Sequence, residues 1–376
     1  MLNGVYVSLL MGPMVPMPAP KPVVDALTSI EIEVPTSRRS GFQLSFSLGT
    51  NSSLQTLFLL ASGAPMPMFR VVIVVTVNGL PQVLMDGVIQ HHEIQQGEAG
   101  TSTLHVKGED LSALMDLQAL DGLPYPGATV DNRVKIMLAK YAVFGVRPNV
   151  MQELVPNIDA PVERIASQRG TDFKYIQALA GVSGYVFYLD PGPLPGMSEA
   201  YWGPEIKFGL PQPALAINVD SWSNCESLHF QYEPAGAELP VVYFQEPNSK
   251  QTIPVPIPAV SPLNPPLGAL SATPQKITFS TDTAKQSPGQ ALMQGMAKAA
   301  QTGDVVTGSG TLDVLRYGQV LKARQLVGVR GAGLAFDGLH FVDSVTHTIS
   351  RGQYKQNFSL KRNGLLSTLP AVPTMF

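Results

Sequence analysis

Apolar and polar residues alternate along much of this chain. In Gly41–Leu48, Phe42, Leu44, Phe46 and Leu48 fall on one side and Gln43, Ser45 and Ser47 on the other. That is a strand from a sheet with one buried face. Phe69–Val77 follows, with the solid apolar run Val71–Val75, too short to cross a bilayer as a helix and read as a buried strand. Asn78-Gly79 then marks a tight hairpin turn, and the return carries Val83-Leu84-Met85, with Asp86-Gly87 leading into Val88-Ile89. Thr101–Val106 alternates again. The longest such pattern closes the chain. Leu339, Phe341, Val345 and Ile349 share one face, Arg351-Gly352 sits at the reversal, and Tyr354, Phe358 and Leu360 share a face of the return strand.

Between these β blocks the spacing becomes helical. Leu111, Leu114 and Met115 fit a short helix after Gly108-Glu109-Asp110. Thr129 precedes a longer one with Val130, Val134, Leu138 and Tyr141 on one stripe, ended by Gly145 and Pro148. Thr171 opens a third, with Ile176, Leu179 and Ala180 inward and Gly181 and Gly184 at its end, before the strand Tyr185–Leu189. Residues 191–216 read as a Pro/Gly-rich extended loop and Ile217–Tyr232 as strand. Pro254–Pro274, with seven prolines, reads as a stiff linker. Ser287-Pro288-Gly289-Gln290 has the form of a capping box opening a helix that carries Leu292, Met296 and Ala299 and closes at Gly303.

The expected architecture is mainly β with α+β insertions: two tube-like β-barrel domains plus small α/β and linker regions. The first barrel and its extended N-terminal segment occupy 1–107, an α+β middle region 108–190, and a Pro/Gly-rich, strand-containing region 191–286. A capping helix, the second barrel's strands and a C-terminal tail occupy 287–376. The opening segment lacks a basic start and is broken by Pro16, Pro18 and Pro20, so it reads as extended chain and not as a secretion signal.

Composition sharpens this picture. Only 14% of the 376 residues are charged, against the roughly 25% usual in soluble proteins, while Gly (34) and Pro (33) are abundant. A turn-rich β protein whose surface is largely covered by partners fits that balance. A net charge of −3 gives no electrostatic footing for nucleic acid. One cysteine, Cys225, rules out an internal disulfide.

Candidate chemistry is thin, and no catalytic, cofactor-binding or metal-binding residue is assigned. His91 and His92 are adjacent in a strand and point to opposite faces, and the metalloprotease His-Glu-x-x-His pattern is absent. Asp343 and His347, four residues apart in a strand, stand about 13 Å from each other, too far for an acid/base contact. Gly181-Val182-Ser183-Gly184 lacks the second glycine of a nucleophile elbow and ends a helix. Gly328–Gly333 opens no helix, so it reads as a glycine-rich turn and not a phosphate cradle. Arg38-Arg39, Lys322 with Arg324, and Lys361-Arg362 are clusters too small for nucleic acid and read as solvated or interface charge.

Several of these stretches resemble the phage late control D family, the central hub proteins of contractile tails and type VI secretion spikes. The resemblance is sharpest in Gly308–Leu312, Tyr317-Gly318, Leu326–Gly331 and the closing hairpin. It extends to Thr171–Ala180 with Gly184–Tyr188, and to Asp86–Ile89 with Gly108–Asp116. It implies a non-enzymatic structural protein forming a homotrimer. Two tube-like barrels per subunit would give six similar barrels, adapting a hexameric inner tube to a trimeric spike. The implied partners are further copies of the chain, a spike protein, separate because the sequence ends at Phe376, the first ring of inner tube protein and other baseplate components. The particle would be assembled in the bacterial cytoplasm as a phage tail or tail-like device. The helices at Val130–Tyr141 and Thr171–Ala180 would lie outside the ring. The alternatives are a cell-wall or polysaccharide hydrolase on a β scaffold, which needs two carboxylates roughly 5–10 Å apart across a cleft, and a carbohydrate-binding β module, for which Trp202 and Trp222 make a poor platform.

Overall fold

The computed structural model describes residues 4–48, 69–97, 102–153, 165–219, 223–245, 251–259, 264–280 and 288–369. Ser287 of the capping box, Thr101 and Trp222 lie outside them. The fold is mainly β, and its frame is one 13-stranded sheet that takes in both β blocks.

The first unit contributes Val5–Pro13, Leu27–Pro35, Gly41–Leu48, Phe69–Val77, Leu80–Gln96 and Ser102–Asp110. The turn at Asn78-Gly79 has φ of 51° and 83°, the left-handed pair that a two-residue hairpin of this twist requires. Phe42, Leu44, Phe46 and Leu48 are all buried, as their alternation demands. Val71–Val75 are buried on both faces of the strand, which is also paired along both edges, by Val5–Pro13 and Leu80–Gln96. The return is longer than its apolar residues announce. Asp86-Gly87 does not interrupt it, and His91-His92-Glu93 belong to the same 17-residue strand.

The middle of the chain packs helices Val130–Ala139 and Asp172–Ser183 against a three-stranded sheet of Val146–Val150, Val186–Pro191 and Ser198–Gly203. Thr171 Oγ1 accepts from the Lys174 amide at 3.3 Å, and Gly184 closes the helix at φ 67°. The Asp110 carboxylate caps the 3-10 helix Leu111–Asp116 through the Ser112 amide at 2.9 Å.

Two expectations for the linker regions are corrected. Residues 191–216 are not one extended loop, because Ser198–Gly203 and Gln212–Ala216 are strands. Pro254–Pro274 contains the end of strand Thr252–Pro256 and the strand Gly268–Ser271. Proline is tolerated where its missing N–H faces away from a ladder.

The second unit starts earlier than residue 287. It comprises Gln212–Ala216, Cys225–Tyr232, Val306–Asp313, Leu326–Arg330, Gly338–Ser350 and Gln353–Arg362. The helix Pro288–Thr302 lies within its span. Nor are the units two separately closed barrels among the described residues. The edge of Gly338–Ser350 beyond its pairing with Leu326–Arg330 is taken by Leu27–Pro35 of the first unit, with Ile349 opposite Ile30, so the sheet runs on from one unit into the other.

The closing hairpin forms as expected, with Gly352 at φ 86° in its turn. Its facing differs at one residue. A bulge between Val342 and Ser344 inserts an extra residue. Val342, Val345 and Ile349 therefore share the main core with Tyr354, Phe358 and Leu360. Phe341 turns to the other side and packs with Leu267, Leu326 and Leu339.

Candidate functional site

The two units share more than strand content. From Leu27–Pro35, the first runs to Gly41–Leu48, Ser102–Asp110, Leu80–Gln96, Phe69–Val77 and Val5–Pro13. From Cys225–Tyr232, the second runs to Val306–Asp313, Gln353–Arg362, Gly338–Ser350, Leu326–Arg330 and Gln212–Ala216. Numbered by position in their own unit, these are the same order. Irregularities recur at matching places. The first pair of strands is bulged between Leu27 and Ser29 and between Cys225 and Ser227. The long hairpin pairs are bulged between Ile89 and His91 and between Val342 and Ser344. Bulges fix register, so positions can be matched residue by residue through each unit. The sixth strand differs in direction: Val5–Pro13 is antiparallel to its neighbour, and Gln212–Ala216 is parallel. The junction between units is a seven-residue ladder from Ser344 opposite Pro35 to Ser350 opposite Ser29.

The residues that might carry chemistry are spread over this frame. His347 is buried, with Nδ1 at 2.8 Å from the Tyr354 hydroxyl and 3.4 Å from the Gln356 amide nitrogen. Both partners can donate, which suits a neutral ring accepting at Nδ1. Asp343 instead meets Lys361 at 2.8 Å, so the two are not a pair. His91 lies 3.7 Å from Glu93 on an exposed strand. Among the described residues no group of three or more His, Cys, Asp or Glu is placed to hold a metal ion, and no helix is long and apolar enough to cross a membrane. Ser183 donates to the Glu153 carboxylate at 2.6 Å at a helix end. The glycine run ends as a turn: Gly331 and Gly333 have positive φ, and a Cβ at Gly331 would lie 1.9 Å from the Ile217 carbonyl oxygen. Cys225 is buried, and burial pushes its thiol up to about 12. Trp202 is fully buried and faces Tyr185 edge-on, so it offers no platform to a sugar.

The groove between the outer face of the first unit and the Asp172–Ser183 helix is lined by Glu33 and Glu109, among others. Each of these carboxylates is held by an arginine, Glu33 by Arg38 and Glu109 by Arg39 at 3.2 Å.

Three basic residues expected at the surface turn out to be anchors. Arg39 bridges to Asp116 at 2.9 Å and lies over the Phe173 ring, tying the middle region to the first unit. Arg324 stacks on Tyr188 and pairs with Asp190, tying the same region to the second. Arg362 is fully buried and makes no ion pair among the described residues. Its guanidinium donates to the carbonyls of Ala335, Phe336, Asp337 and Gly364, and burial lowers its pKa to about 10. Three of its four acceptors lie on a loop distant in sequence, a convergence that a local charge pattern cannot reveal.

Burial holds His347 at about 4 and His340 at about 3, the latter also depressed by the Arg362 charge. In the unfolded chain both titrate near 6.5, so between pH 6.5 and about 4 the unfolded state binds more protons. Stability is full above 6.5 and falls as pH drops through that window, on the order of 1.4 kcal/mol per pH unit for each histidine. Melting midpoints measured from pH 7 to 4 should fall accordingly, and His347→Gln should flatten the slope by about half. An unchanged slope in that variant would mean His347 is protonated in the fold.

No family model matches the chain, and no curated protein matches its sequence. Solved structures do. A tail protein from Neisseria meningitidis MC58 aligns over 96% of this chain and 98% of its own, with 15% identity and a TM-score of 0.64. The 43 kDa tail protein of prophage MuSo2 from Shewanella oneidensis gives the same coverage, 13% identity and a TM-score of 0.61. The E. coli c3393 protein, a type VI secretion component described as structurally similar to T4 tail proteins gp27 and gp5, covers 93% of this chain and 78% of its own, at 12% identity and 0.53. The fold is that of phage tail proteins. At such low identity the shared feature is the arrangement of strands across nearly the whole chain, with the side chains almost entirely exchanged.

Proposed function

We propose that this chain is the structural hub of a contractile injection apparatus. Three copies form a ring of six similar β units, which presents near-sixfold geometry to a hexameric inner tube and threefold geometry to a trimeric spike. The observation that carries this reading is the repeated strand order within one chain, joined edge to edge by the Leu27–Pro35 and Gly338–Ser350 ladder. A frame that repeats twice per chain yields six repeats from three chains, reconciling the two symmetries without a further adaptor. The tail-protein fold supports it, as do the low charge content and the engagement of the basic residues inside the chain. On this reading the chain performs no catalysis, and its partners are its own copies, the tube, the spike and other baseplate proteins in a tail-like particle assembled in the bacterial cytoplasm. The middle-region helices cover the outside of the ring. The test is copy number. Native mass of the purified chain, or its stoichiometry in isolated particles, should give three. A ring of six or twelve chains would refute two ring positions per chain.

A further inference from the structure

The matched bulges let the junction inside the chain serve as a ruler for a second junction. Counting from them, Thr346, His347, Thr348 and Ile349 of the second unit correspond to Glu93, Ile94, Gln95 and Gln96 of the first. Likewise Ile30, Glu31, Ile32 and Glu33 correspond to Leu228, His229, Phe230 and Gln231. Within the chain the former set of the second unit pairs with the latter set of the first: Thr346 with Glu33, His347 with Ile32, Thr348 with Glu31 and Ile349 with Ile30. The reciprocal pair of edges has no strand partner among the described residues. Leu80–Gln96 is paired beyond Gly87 and Val88 only with Ser102–Asp110, and Cys225–Tyr232 is paired only with Val306–Asp313.

Exposure marks the same edges. Ile94 is 44% exposed although Leu104, directly across the strand pair, is fully buried. Its counterpart in the completed junction, His347, is 4% exposed. Gln95, Gln96, His229 and Gln231 are exposed as well. An open edge with an apolar residue on its core face is the surface that strand addition completes.

We propose that the Glu93–Gln96 edge of one copy pairs antiparallel with the Leu228–Gln231 edge of a second copy, in the register Glu93 to Gln231, Ile94 to Phe230, Gln95 to His229 and Gln96 to Leu228. The proposal rests on the ring reading and gives it a residue-level contact: the ring alternates one junction inside each chain with one between chains. The occupant is another copy of this chain, because only this chain carries an edge whose register the internal junction already prescribes. Ile94 then meets Phe230 as His347 meets Ile32, closing the exposed end of the core.

The full chain carrying Cys225→Ala, Gln95→Cys and His229→Cys tests this. Directly opposed residues in an antiparallel pair have Cα atoms about 4.5–5.5 Å apart, within disulfide range, whereas diagonal neighbours about 7–8 Å apart are not. Oxidation at high micromolar concentration, or in assembled particles, should link chains to each other. Mixed single variants should give only a linked dimer, and the offset pair Gln95→Cys with Gln231→Cys should link roughly tenfold less. Ile94→Asp should raise the concentration needed for assembly at least about tenfold while leaving the melting of the monomer unchanged. A three-chain assembly with no Gln95–His229 link would overturn this junction and leave the ring reading standing. Efficient linkage in a closed species of some other copy number would keep the junction and overturn the trimer. A chain monomeric at every concentration and unlinked in particles would overturn both.

Discussion

Phe358→Ala should cost about 3–5 kcal/mol, the range for emptying a fully buried aromatic site. Phe358 is 4% exposed and sits in the core shared by both units. Its ring reaches over Gly310 on the facing strand, where an added Cβ would come within 2.6 Å of it. The glycine makes room for the ring. Against the roughly 5–15 kcal/mol available to a domain, the loss would leave little of the second unit folded and, on the hub reading, should exclude the variant from particles. Urea unfolding monitored by circular dichroism would show it as a lower midpoint. A loss below about 1 kcal/mol would place the ring outside the core.

Asp86→Ala should cost a similar amount, about 3–5 kcal/mol, for a different reason. Arg70 and Asp86 are both buried and meet through two hydrogen bonds of 2.7 Å, with the Ser198 hydroxyl donating to the same carboxylate at 3.2 Å. Removing the carboxylate strands a guanidinium in the interior whose remaining hydrogen-bond contact among the described residues is the Met14 carbonyl at 3.5 Å. Replacing both partners, Arg70→Met with Asp86→Leu, should recover most of the loss, because the penalty comes from the uncompensated charge and not from missing attraction. If the double variant is no better than the single one in the same unfolding measurement, the pair is instead held for its geometry, through Ser198 and the middle region.

Much of this frame was legible from alternation alone. Phe42 to Leu48 declared their face, Asn78-Gly79 declared its turn, and Val134, Leu138, Ile176 and Leu179 declared their helices. Each is a local signal, settled by residues a few positions apart. What failed was non-local. The extra residue at Asp343 reverses the facing of Phe341, and nothing in the spacing of Leu339, Phe341 and Val345 marks a bulge. Gln212–Ala216 becomes a strand because Leu326–Arg330 lies beside it, despite proline at 211 and 213. Arg362 looked like surface charge because its acceptors are carbonyls, which every residue has. The likeness of the two units was visible as two β blocks, but their common order emerges only from the pairings.

The sixth strand breaks that likeness. A neighbour that touches only the backbone of the five concordant strands meets the same strand order twice on each chain. One that touches Val5–Pro13 or Gln212–Ala216 can tell them apart, because the two run in opposite directions against their neighbours. On the ring reading, a partner can therefore meet this chain once or twice, and the direction of one strand separates the two cases.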